Sequence, residues 1–362
     1  MTRIRTAVIF GGRSSEHAIS CVSAGGVISA LDPRRYEVEA VGITPEGRWV
    51  RQSGDAQRLR IIDGALPRVE EEGAEVVLTA DPADRGLRID GALVPVDVVF
   101  PVLHGPWGED GTIQGLLEMA GLPYVGSGVA ASAMAMDKGF MKQAFAQAGL
   151  RVGPYTVITD AQWRENRDAC LARAVALGPV LFVKPARAGS SVGITRVTDP
   201  EGLPGAIARA REHDPRVMVE AAVTDMRELE CGVLTDGQTN RPIASVCSEI
   251  VVGNGHDFYD FEAKYLDDGA RLDVPADIPP DIQARIQRVA MGAFEALSCE
   301  GLARVDVFWR GGDDIVVNEI NTMPGFTPIS MFPRMWQASG MEYPELVDHL
   351  VRDALRRGTG LR

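Results

Sequence analysis

The sequence predicts an α/β protein of two or three domains, and three observations support that prediction. The first is length and composition. With 45% hydrophobic and 24% charged residues the chain is of ordinary globular composition, and 362 residues are more than a single hydrophobic core usually holds. The second is two apolar runs that each end in a glycine-rich turn before a helix-like segment, as strands of a parallel sheet do. The third is a pair of alternating runs between Gly301 and Met331, which indicates an antiparallel hairpin.

Composition excludes several classes of function. A formal net charge of −13 argues against broad electrostatic binding to nucleic acid or to an anionic membrane. The N-terminal apolar run is too short for a signal peptide, and no run suits a membrane span, so we expect a cytoplasmic protein. The five cysteines form no C-x-x-C pair and are expected to be reduced packing residues.

The first predicted strand, residues 5–10, runs into a Gly-Gly turn and then into a helix predicted for 16–31. This order places polar side chains at the carboxyl edge of a sheet. The turn lacks both a dinucleotide fingerprint and the lysine of a P-loop. Ser14 or Ser15 could cap the helix, and for Glu16 a capping role and a ligand-binding role are equally compatible with the sequence.

A second strand is predicted for 38–43, followed by a short hairpin, whereas residues 52–92 show no interpretable pattern. The continuous apolar run 96–103 predicts a strand that is buried on both faces. It ends at His104, before a three-glycine loop and a helix that begins near Thr112. Two polar loops therefore point to the same sheet edge, although a lone histidine is more often structural than catalytic.

A boundary is indicated at 121–127, and the next segment predicts one helix over 127–150 with its N-cap at Ser127. The strand predicted for 180–184 ends in Lys184, directly before the glycine- and serine-rich segment 186–193. Backbone N–H donors beside a fixed positive charge suit the phosphates of a nucleotide, which we favour over a plain hairpin turn.

The strand predicted for 217–220 leads into an apolar link that could offer backbone groups to an adenine edge. Glu220 and Glu228 fit contacts to the nucleotide, and they fit surface carboxylates equally well. The polar segment 253–275 carries several aromatic residues and is interpreted as a lid or a binding loop.

The hairpin near the C-terminus is predicted to have a four-residue loop over 311–314. That loop would set Arg310 opposite Ile315 and, further along, Asp306 opposite Glu319. Two carboxylates that face each other repel, so packing does not explain this pair, whereas Mg²⁺ bound to phosphates would. The alternative interpretation is a solvated face of the hairpin.

The same pairing sets Arg304 opposite Asn321 on one face. On the first strand that face comprises Arg304, Asp306 and Phe308. On the second strand it comprises Ile315, Val317, Glu319 and Asn321.

Motifs along essentially the whole chain resemble the D-alanine:D-alanine ligase family of the ATP-grasp superfamily. They are FGGRSSEHAIS, LHGPWGEDGTIQG, MDKGFMKQAF, FVKPARAGSSVGI, FYDFEAKY and LARVDVFW with NEINTMPGFTPISMFP. The resemblance implies an ATP-grasp fold: a Rossmann-like substrate domain over 1–126, a central domain over 127–224 and a C-terminal domain over 225–362. It also implies that ATP lies between antiparallel sheets of the last two domains, an α+β arrangement.

The resemblance also implies roles for individual residues. The metal ligands implied are Asp306, Glu319 and Asn321, holding two Mg²⁺ or Mn²⁺. The ATP contacts implied are Lys138, Lys184, Ser191, Glu220, Val223, Glu228, Lys264, Asn318 and Glu319. The amino-acid substrate contacts implied are Glu16, His104, Ser330 and Met331. The catalytic residues implied are Glu16, Ser190, Tyr265, Arg304 and Gly325, the last two as the oxyanion site.

The activity that the resemblance implies is ATP-dependent joining of two D-alanines through a D-alanyl phosphate, for peptidoglycan precursors. The implied partners are ATP and D-alanine, the implied assembly is a homodimer, and a monovalent cation is left open. Tyr265, rather than phenylalanine, resembles the dipeptide-forming members. The alternatives are a depsipeptide-forming ligase, another acyl-phosphate ligase of the superfamily, and a non-catalytic nucleotide-binding protein.

Overall fold

The computed structural model describes residues 2–189, 192–252, 270–360 and 362. The strands are β1 Ile4–Gly11, β2 Tyr36–Ile43, β3 Trp49–Arg51, β4 Val76–Leu78, β5 Gly86–Ile89, β6 Ala92–Pro95, β7 Val98–Val102, β8 Tyr155–Ile158, β9 Leu181–Pro185, β10 Thr195–Val197, β11 Val217–Ala221, β12 Arg227–Thr235, β13 Pro242–Val252, β14 Ala270–Asp273, β15 Leu302–Trp309 and β16 Ile315–Asn321. The α-helices are α1 His17–Ala30, α2 Thr112–Met119, α3 Val129–Met136, α4 Lys138–Gln147, α5 Asp160–Glu165, α6 Arg167–Val175, α7 Leu203–His213, α8 Pro280–Ala296, α9 Met331–Ala338 and α10 Tyr343–Arg357.

The first sheet has the order β3-β2-β1-β7, and β1 pairs in parallel with both β2 and β7. Alternate residues of β1 enter two different cores. Val8 and Phe10 pack with α1 and α10, whereas Ala7 and Ile9 pack with α2. The prediction of a parallel sheet buried on both faces is confirmed. The carboxyl ends of β1 and β7 are adjacent, so their loops meet at one edge.

Two antiparallel sheets follow. One has the order β10-β9-β11-β8, with α6 and α7 packed against it. The other has the order β14-β13-β12-β15-β16, with α8 packed on its apolar face. The chain is therefore a mixed α/β protein with several sheets. Among the described residues, no helix combines the length and the apolar character needed to cross a bilayer.

The segment 52–92, for which the sequence showed no pattern, contains β4, β5 and the first residue of β6, which together form a small sheet of order β4-β5-β6. Each of these strands has only three or four residues. Such short strands do not complete enough alternations to be recognised.

The prediction of one helix over 127–150 is wrong, because the segment forms α3 and α4 with a break at Asp137. Asp137 has φ −84° and ψ 103°, and its carboxylate accepts hydrogen bonds from the N–H groups of Gly139 and Phe140. This side chain caps the second helix and ends the first. Lys138 consequently occupies the first turn of α4.

The predicted N-cap at Ser127 is also wrong, since Gly128 caps α3. The Ser127 hydroxyl instead exchanges hydrogen bonds with the backbone of Glu300, accepting from its N–H at 3.1 Å and donating to its carbonyl at 3.2 Å. The side chain that suggested a helix start therefore joins α3 to the C-terminal sheet.

The hairpin turn differs from the prediction. Ile315 pairs with Trp309, not with Arg310. The N–H of Arg310 donates to the carbonyl of Asp314 at 3.0 Å, so Arg310 belongs to the turn. The loop therefore comprises residues 310–314, one residue more than predicted.

A β-bulge then restores the predicted register. Val307 pairs with Val317 and Asp306 with Glu319, which leaves Asn318 as one extra residue on β16. The predicted pairing of Asp306 with Glu319 is confirmed, although the regular ladder from which it was derived is not.

The bulge also changes which side chains share a face, because one added residue inverts the alternation. Ile315 and Val317 lie in the core against α8, so their predicted place beside Glu319 and Asn321 is wrong. Val316 pairs with Phe308 and lies on the opposite face instead, the face of Arg304 and Asp306.

Candidate active site

A cleft of about 870 Å³ lies between the two antiparallel sheets and extends to the carboxyl edge of the first sheet. This volume is in the range of small-molecule sites. The predicted site residues that line it are Glu16, His104, Lys138, Lys184, Glu220, Val223, Glu228, Arg304, Asn318, Glu319, Asn321, Gly325, Ser330 and Met331. Asp306 is 5% exposed and lies directly behind this lining. The predictions for Ser190, Ser191, Lys264, Tyr265 and most of the lid lie outside the described residues.

Two buried lysines share one carboxylate on the central sheet. Lys184 of β9 forms an ion pair with Glu220 of β11, and Lys142 of α4 approaches the same carboxylate at 3.3 Å. Burial lowers the pKa of Lys184, but the charges of Glu220 and Glu319 outweigh it and raise that pKa overall. The pKa of Lys142 is lowered, because the effect of burial is larger than the opposing effect of the Glu220 charge. The sheet thus presents cationic groups at the cleft wall.

Lys138 joins the two antiparallel sheets. Its ammonium donates to the carbonyl of Ala188 at 3.1 Å and lies 3.4 Å from Glu319. Ala188 belongs to the segment predicted to contact phosphates. A lysine at this place can neutralise negative charge from either wall.

Arg304 lies between two buried carboxylates. It donates to both oxygens of Asp306 at 2.7 Å, and its Nε lies 3.0 Å from Glu230 of the neighbouring strand. Burial would lower the pKa of Arg304, but the charges of Asp306 and Glu230 raise it well above its usual range. The guanidinium is therefore a fixed positive charge that faces the cleft.

The oxygen donors of the hairpin fit a hard cation. Asp306 and Glu319 face each other, and Asn321 donates to Asp306 at 3.2 Å, which leaves its amide oxygen available. Within the described ranges, no group of three or more His, Cys, Asp or Glu side chains could hold a metal. Two carboxylates with one amide match the way Mg²⁺ is held jointly by protein and phosphate oxygens.

Glu16 stands at the start of α1 and makes no side-chain hydrogen bond to cap it. Glycines border its carboxylate: a Cβ on Gly105 would lie 2.6 Å from Glu16 Oε2, and one on Gly189 would lie 3.0 Å away. At Gly105 the backbone therefore approaches this carboxylate more closely than a residue with a Cβ would allow without a shift, and at Gly189 the approach is tight. Glu16 therefore lines the cleft and does not cap α1 with its side chain, and its role in binding a ligand stays a prediction.

His104 is buried, and both of its ring nitrogens contact protein groups. Nδ1 lies 3.0 Å from the carbonyl of Met323, and Nε2 lies 3.1 Å from the hydroxyl of Ser23. Ser14 donates to the carbonyl of His104 at 2.7 Å, so the loops after β1 and β7 are joined. Burial lowers the pKa of His104.

Ser330 precedes α9 but does not cap it with its side chain. Its hydroxyl accepts a hydrogen bond from the N–H of Thr327 at 3.1 Å and lies 2.7 Å from the Thr327 hydroxyl. A Cβ on Gly325 would come within 3.2 Å of the same hydroxyl. The predicted oxyanion glycine and the predicted carboxylate-binding serine are therefore neighbours.

Sequence reasoning did not single out several residues of this site, among them Ile61, Glu109, Lys142 and Glu230. Glu109 stands within the LHGPWGEDG motif, and Lys142 follows Lys138 by one helical turn, so both carried a usable signal. Ile61 lies in the segment without a pattern, and Glu230 is a carboxylate in an otherwise ordinary strand.

A mixed α/β fold with a cleft lined by lysines, carboxylates and an arginine is typical of proteins that bind nucleotides. Comparison with known proteins narrows this class. A family model described as D-ala D-ala ligase N-terminus matches residues 5–127, and one described as D-ala D-ala ligase C-terminus matches residues 144–352. The chain belongs to the D-alanine–D-alanine ligase family.

Named relatives agree over nearly the whole length. The D-alanine–D-alanine ligase of Kineococcus radiotolerans is 57% identical over 99% of this chain and 98% of the relative. That of Streptomyces coelicolor is 54% identical over 99% and 95%. Among solved structures, the VanG D-Ala:D-Ser ligase from Enterococcus faecalis has a TM-score of 0.84 at 34% identity, covering 97% of this chain and 99% of that one. The D-alanine–D-alanine ligase from Coxiella burnetii has a TM-score of 0.80 at 31% identity, covering 98% and 96%.

Proposed function

We propose that this protein joins two D-alanines to D-alanyl-D-alanine with ATP, through a D-alanyl phosphate, and releases ADP and phosphate. The product would supply peptidoglycan precursor synthesis. One observation carries the proposal: a single cleft contains cationic and acidic groups suited to a nucleotide and, at its other end, a carboxylate suited to an amino-acid ammonium. Family membership supports the same reaction.

The proposed arrangement is that of an ATP-grasp enzyme. ATP would lie between the sheet built on β9 and the sheet built on β15, and the substrate domain would extend over 1–126. The central and C-terminal domains would extend over 127–224 and 225–362. The position of the cleft between two antiparallel sheets supports this division.

The proposed ATP contacts follow the chemistry of the cleft. Lys138 and Lys184 would bind phosphate oxygens, because both carry fixed positive charge at the wall. Glu220 and the backbone of Val223 would recognise the adenine edge, and Glu228 the ribose hydroxyls. Asn318 and Ser191 complete the proposed set, and Lys264 of the lid would reach the phosphates.

Asp306, Glu319 and Asn321 would hold two Mg²⁺ or Mn²⁺, and a monovalent cation remains a further expectation. Such ions, when bound to ATP, offset the charge that accumulates on the transferred phosphoryl group. The protein's own contribution is to keep these oxygens on one face of the hairpin, opposite Lys138.

The amino-acid end of the cleft would receive both substrates. Glu16 would bind the ammonium of the first D-alanine, with His104 nearby. Ser330 and Met331 would receive the carboxylate of the second. The γ-phosphoryl of ATP moves to the first D-alanine carboxylate, because an amine does not attack a free carboxylate at neutral pH.

The amine of the second D-alanine then attacks the acyl phosphate. Arg304 and the N–H of Gly325 would stabilise the oxyanion before phosphate leaves. Ser190 would link Glu16 to Tyr265, and the lid would exclude water, which otherwise hydrolyses the acyl phosphate. The oxyanion role of Arg304 and Gly325 and the link through Ser190 to Tyr265 derive from the family resemblance.

The proposed partners are small molecules only, D-alanine and ATP, with no nucleic acid and no membrane. A homodimer in the cytoplasm is the proposed context. A single measurement of molecular mass in solution by light scattering tests the dimer.

A second candidate concerns the second substrate. The solved structure with a TM-score of 0.84 belongs to a D-Ala:D-Ser ligase, so D-serine competes with D-alanine as a hypothesis. D-lactate, which would give a depsipeptide, is the other alternative. Comparing the three as second substrate at equal concentration decides among them.

The deciding experiment is phosphate release with ATP, Mg²⁺ and D-alanine, with L-alanine as the control and with the dipeptide identified by mass. We expect release with D-alanine only, and one dipeptide per phosphate. Equal release with both enantiomers, or no release with either, would overturn the proposal.

A further inference from the structure

The backbone of Met323 is held by two side chains that lie far earlier in the chain. Its N–H donates to Glu109 Oε1 at 3.1 Å across 214 residues of sequence. Its carbonyl lies 3.0 Å from His104 Nδ1 across 219 residues. One peptide segment of the C-terminal part is therefore fixed by both of its polar groups to the loop after β7.

The contacts of His104 define a single arrangement of protons. A carbonyl only accepts, so Nδ1 carries the proton and donates to Met323. Nε2 then accepts from the Ser23 hydroxyl, whose oxygen in turn accepts from the N–H of Phe326 at 3.4 Å. This chain requires a neutral imidazole, and burial, which disfavours the charged ring, agrees with it.

The fixed segment surrounds Gly325. Met323 precedes it by two residues, and Phe326, which donates to Ser23, follows it directly. The N–H of Thr327 is also occupied, by the hydroxyl of Ser330. Anchors on both sides determine the orientation of the Gly325 N–H, the group that the proposed function uses to bind the oxyanion.

Glu109 connects this segment to the opposite side of the site. Its second carboxylate oxygen accepts from the N–H of Gly105 at 2.7 Å. Gly105 packs against the carboxylate of Glu16. Through one side chain, the place proposed for the first ammonium is joined to the backbone proposed for the oxyanion.

We propose that Glu109 and His104 are positioning residues, which hold the backbone of Met323 and thereby aim the Gly325 N–H at the reacting carbonyl. The inference rests on the proposed function and adds to it. A donor displaced from the oxyanion loses most of its effect, because removing such a donor costs about 10²–10³ in kcat in enzymes that use one.

The chain offers a matched control for Glu109. The neighbouring Asp110 also accepts from two backbone N–H groups, but both are local: Trp107 lies in the same loop and Thr112 is the first residue of α2. Glu109→Ala and Asp110→Ala thus each remove two hydrogen bonds from this loop. Only the first removes a bond to Met323.

The test compares both variants in steady-state kinetics, with dipeptide and phosphate measured together. For Glu109→Ala we expect kcat to fall about 10- to 100-fold, the KM for ATP to change less than about threefold, and less dipeptide to form per phosphate released. For Asp110→Ala we expect kcat within about threefold of the parent and full coupling. Equal effects in the two variants would overturn the inference.

Two further variants keep the inference testable if Glu109→Ala does not fold. Glu109→Gln keeps the volume but replaces one oxygen, which accepts a hydrogen bond whether the carboxyl group is charged or protonated, with an amide nitrogen that accepts none. We therefore expect kcat to fall at least about fivefold with an unchanged circular dichroism spectrum. Glu109→Gln combined with His104→Phe should lower kcat by less than the product of the single effects, because both act on Met323. Parental kcat in Glu109→Gln, or strictly multiplicative effects, would contradict the inference. Absence of D-alanine-dependent phosphate release by the parent protein would instead refute the proposed function.

Discussion

Asp306 lies directly opposite Glu319 across the β15–β16 hairpin, and a bulge at Asn318 is what keeps them opposite. Near the turn, Trp309 pairs with Ile315, which is shifted by one residue from the register that a four-residue loop would give. The extra residue of the bulge removes this shift before the strands reach Asp306 and Glu319. The two carboxylates repel each other, and they are held together by Arg304 on one side and Lys138 on the other. Such an arrangement favours a divalent cation between them.

We predict that Glu319→Gln raises the Mg²⁺ concentration for half-maximal activity at least about tenfold and lowers kcat about 100-fold, because one anionic ligand is lost without a change of shape. The measurement is a Mg²⁺ titration at saturating ATP. Asp313→Asn is the control, since Asp313 lies in the same hairpin with a side chain that is 82% exposed. A normal Mg²⁺ requirement in Glu319→Gln would contradict the assignment.

Gly105 tests the close approach to Glu16. Its φ is +74°, and an added Cβ would lie 2.6 Å from Glu16 Oε2. We predict that Gly105→Ala raises the KM for D-alanine at least about tenfold and leaves the KM for ATP within about twofold, because only the carboxylate at the amino-acid end is displaced.

A second glycine variant distinguishes backbone strain at a positive φ from the steric clash of an added Cβ with Glu16. Gly91 also has a positive φ, of +80°, but no atom lies within 4 Å of its added Cβ. Gly91→Ala should cost about 1 kcal/mol of unfolding free energy and leave both KM values unchanged. If Gly91→Ala raised the KM for D-alanine equally, the collision with Glu16 would not be the cause.

The sequence predicted the parallel sheet and the hairpin because each has a pattern that one chain segment displays by itself. The run that forms β1 is apolar on both faces, and the hairpin alternates. The break at Asp137 was missed because a helix cap replaces a backbone bond without altering apolar periodicity. The bulge at Asn318 was missed because the longer turn and the bulge shift the strand register in opposite directions. The alternation of residue types along the two strands does not reveal either shift.

Among the side chains of the site, those marked by a local pattern were predicted, and those that depend on contacts between distant segments were not. Glu16 and Lys184 stand at strand or helix ends, where a sequence marks polar chemistry. The partnership of Glu109 with Met323 joins segments 214 residues apart and exists only in the folded chain. Lys142 was missed because most helical lysines are solvated, although its spacing from Lys138 placed it on the same helix face.

Lys142 provides a prediction about the nucleotide. It is buried and approaches Glu220 at 3.3 Å, beside Lys184. We predict that Lys142→Met raises the KM for ATP about 3- to 10-fold, because Glu220 would then draw Lys184 away from phosphate. The unfolding free energy should change by less than about 2 kcal/mol, since relief of a buried charge opposes the loss of an ion pair.

The KM for D-alanine is the internal control for Lys142→Met, and it should stay within about twofold of the parent value. ATP affinity is measured by calorimetry with a non-hydrolysable analogue. An unchanged ATP affinity would show that Lys142 serves folding alone.

Glu109 makes stability depend on pH. Burial and the charge of Glu16 raise its pKa from the ordinary 4.5 to about 8, against the opposing effect of the two backbone N–H groups. The folded state therefore keeps a proton that the unfolded state releases. This contribution to stability is complete below pH 4.5 and is lost as the pH rises toward about 8.

We predict that the unfolding free energy of the parent, relative to Glu109→Gln, decreases between about pH 5 and about pH 8. The measurement is urea unfolding of both proteins across this range. Asp110→Asn, which removes the neighbouring carboxyl group, is measured in parallel as the control. A difference that stays constant with pH would exclude Glu109 as the titrating group.

Ile61 tests a part of the cleft that no motif marked. It is 46% exposed and lines the cleft, whereas the adjacent Ile62 is 58% exposed and does not. Buried residues fix both ends of this stretch: Leu59 packs into the core beside α1, and the N–H of Val69 donates to His17 Nε2 at 3.1 Å. The position of Ile61 is thus imposed by anchors on helix α1, which also begins beside Glu16.

We predict that Ile61→Asp lowers kcat/KM for D-alanine at least about fivefold, because a carboxylate in a partly enclosed cleft repels substrates that are themselves carboxylates. Ile62→Asp adds the same charge one residue away, outside the lining, and should stay within about twofold of the parent. Kinetics at low and high salt provide the check, since the loss in Ile61→Asp should shrink as salt screens the charge. Equal losses in the two variants would mean that the segment acts through its folding and does not form a wall of the site.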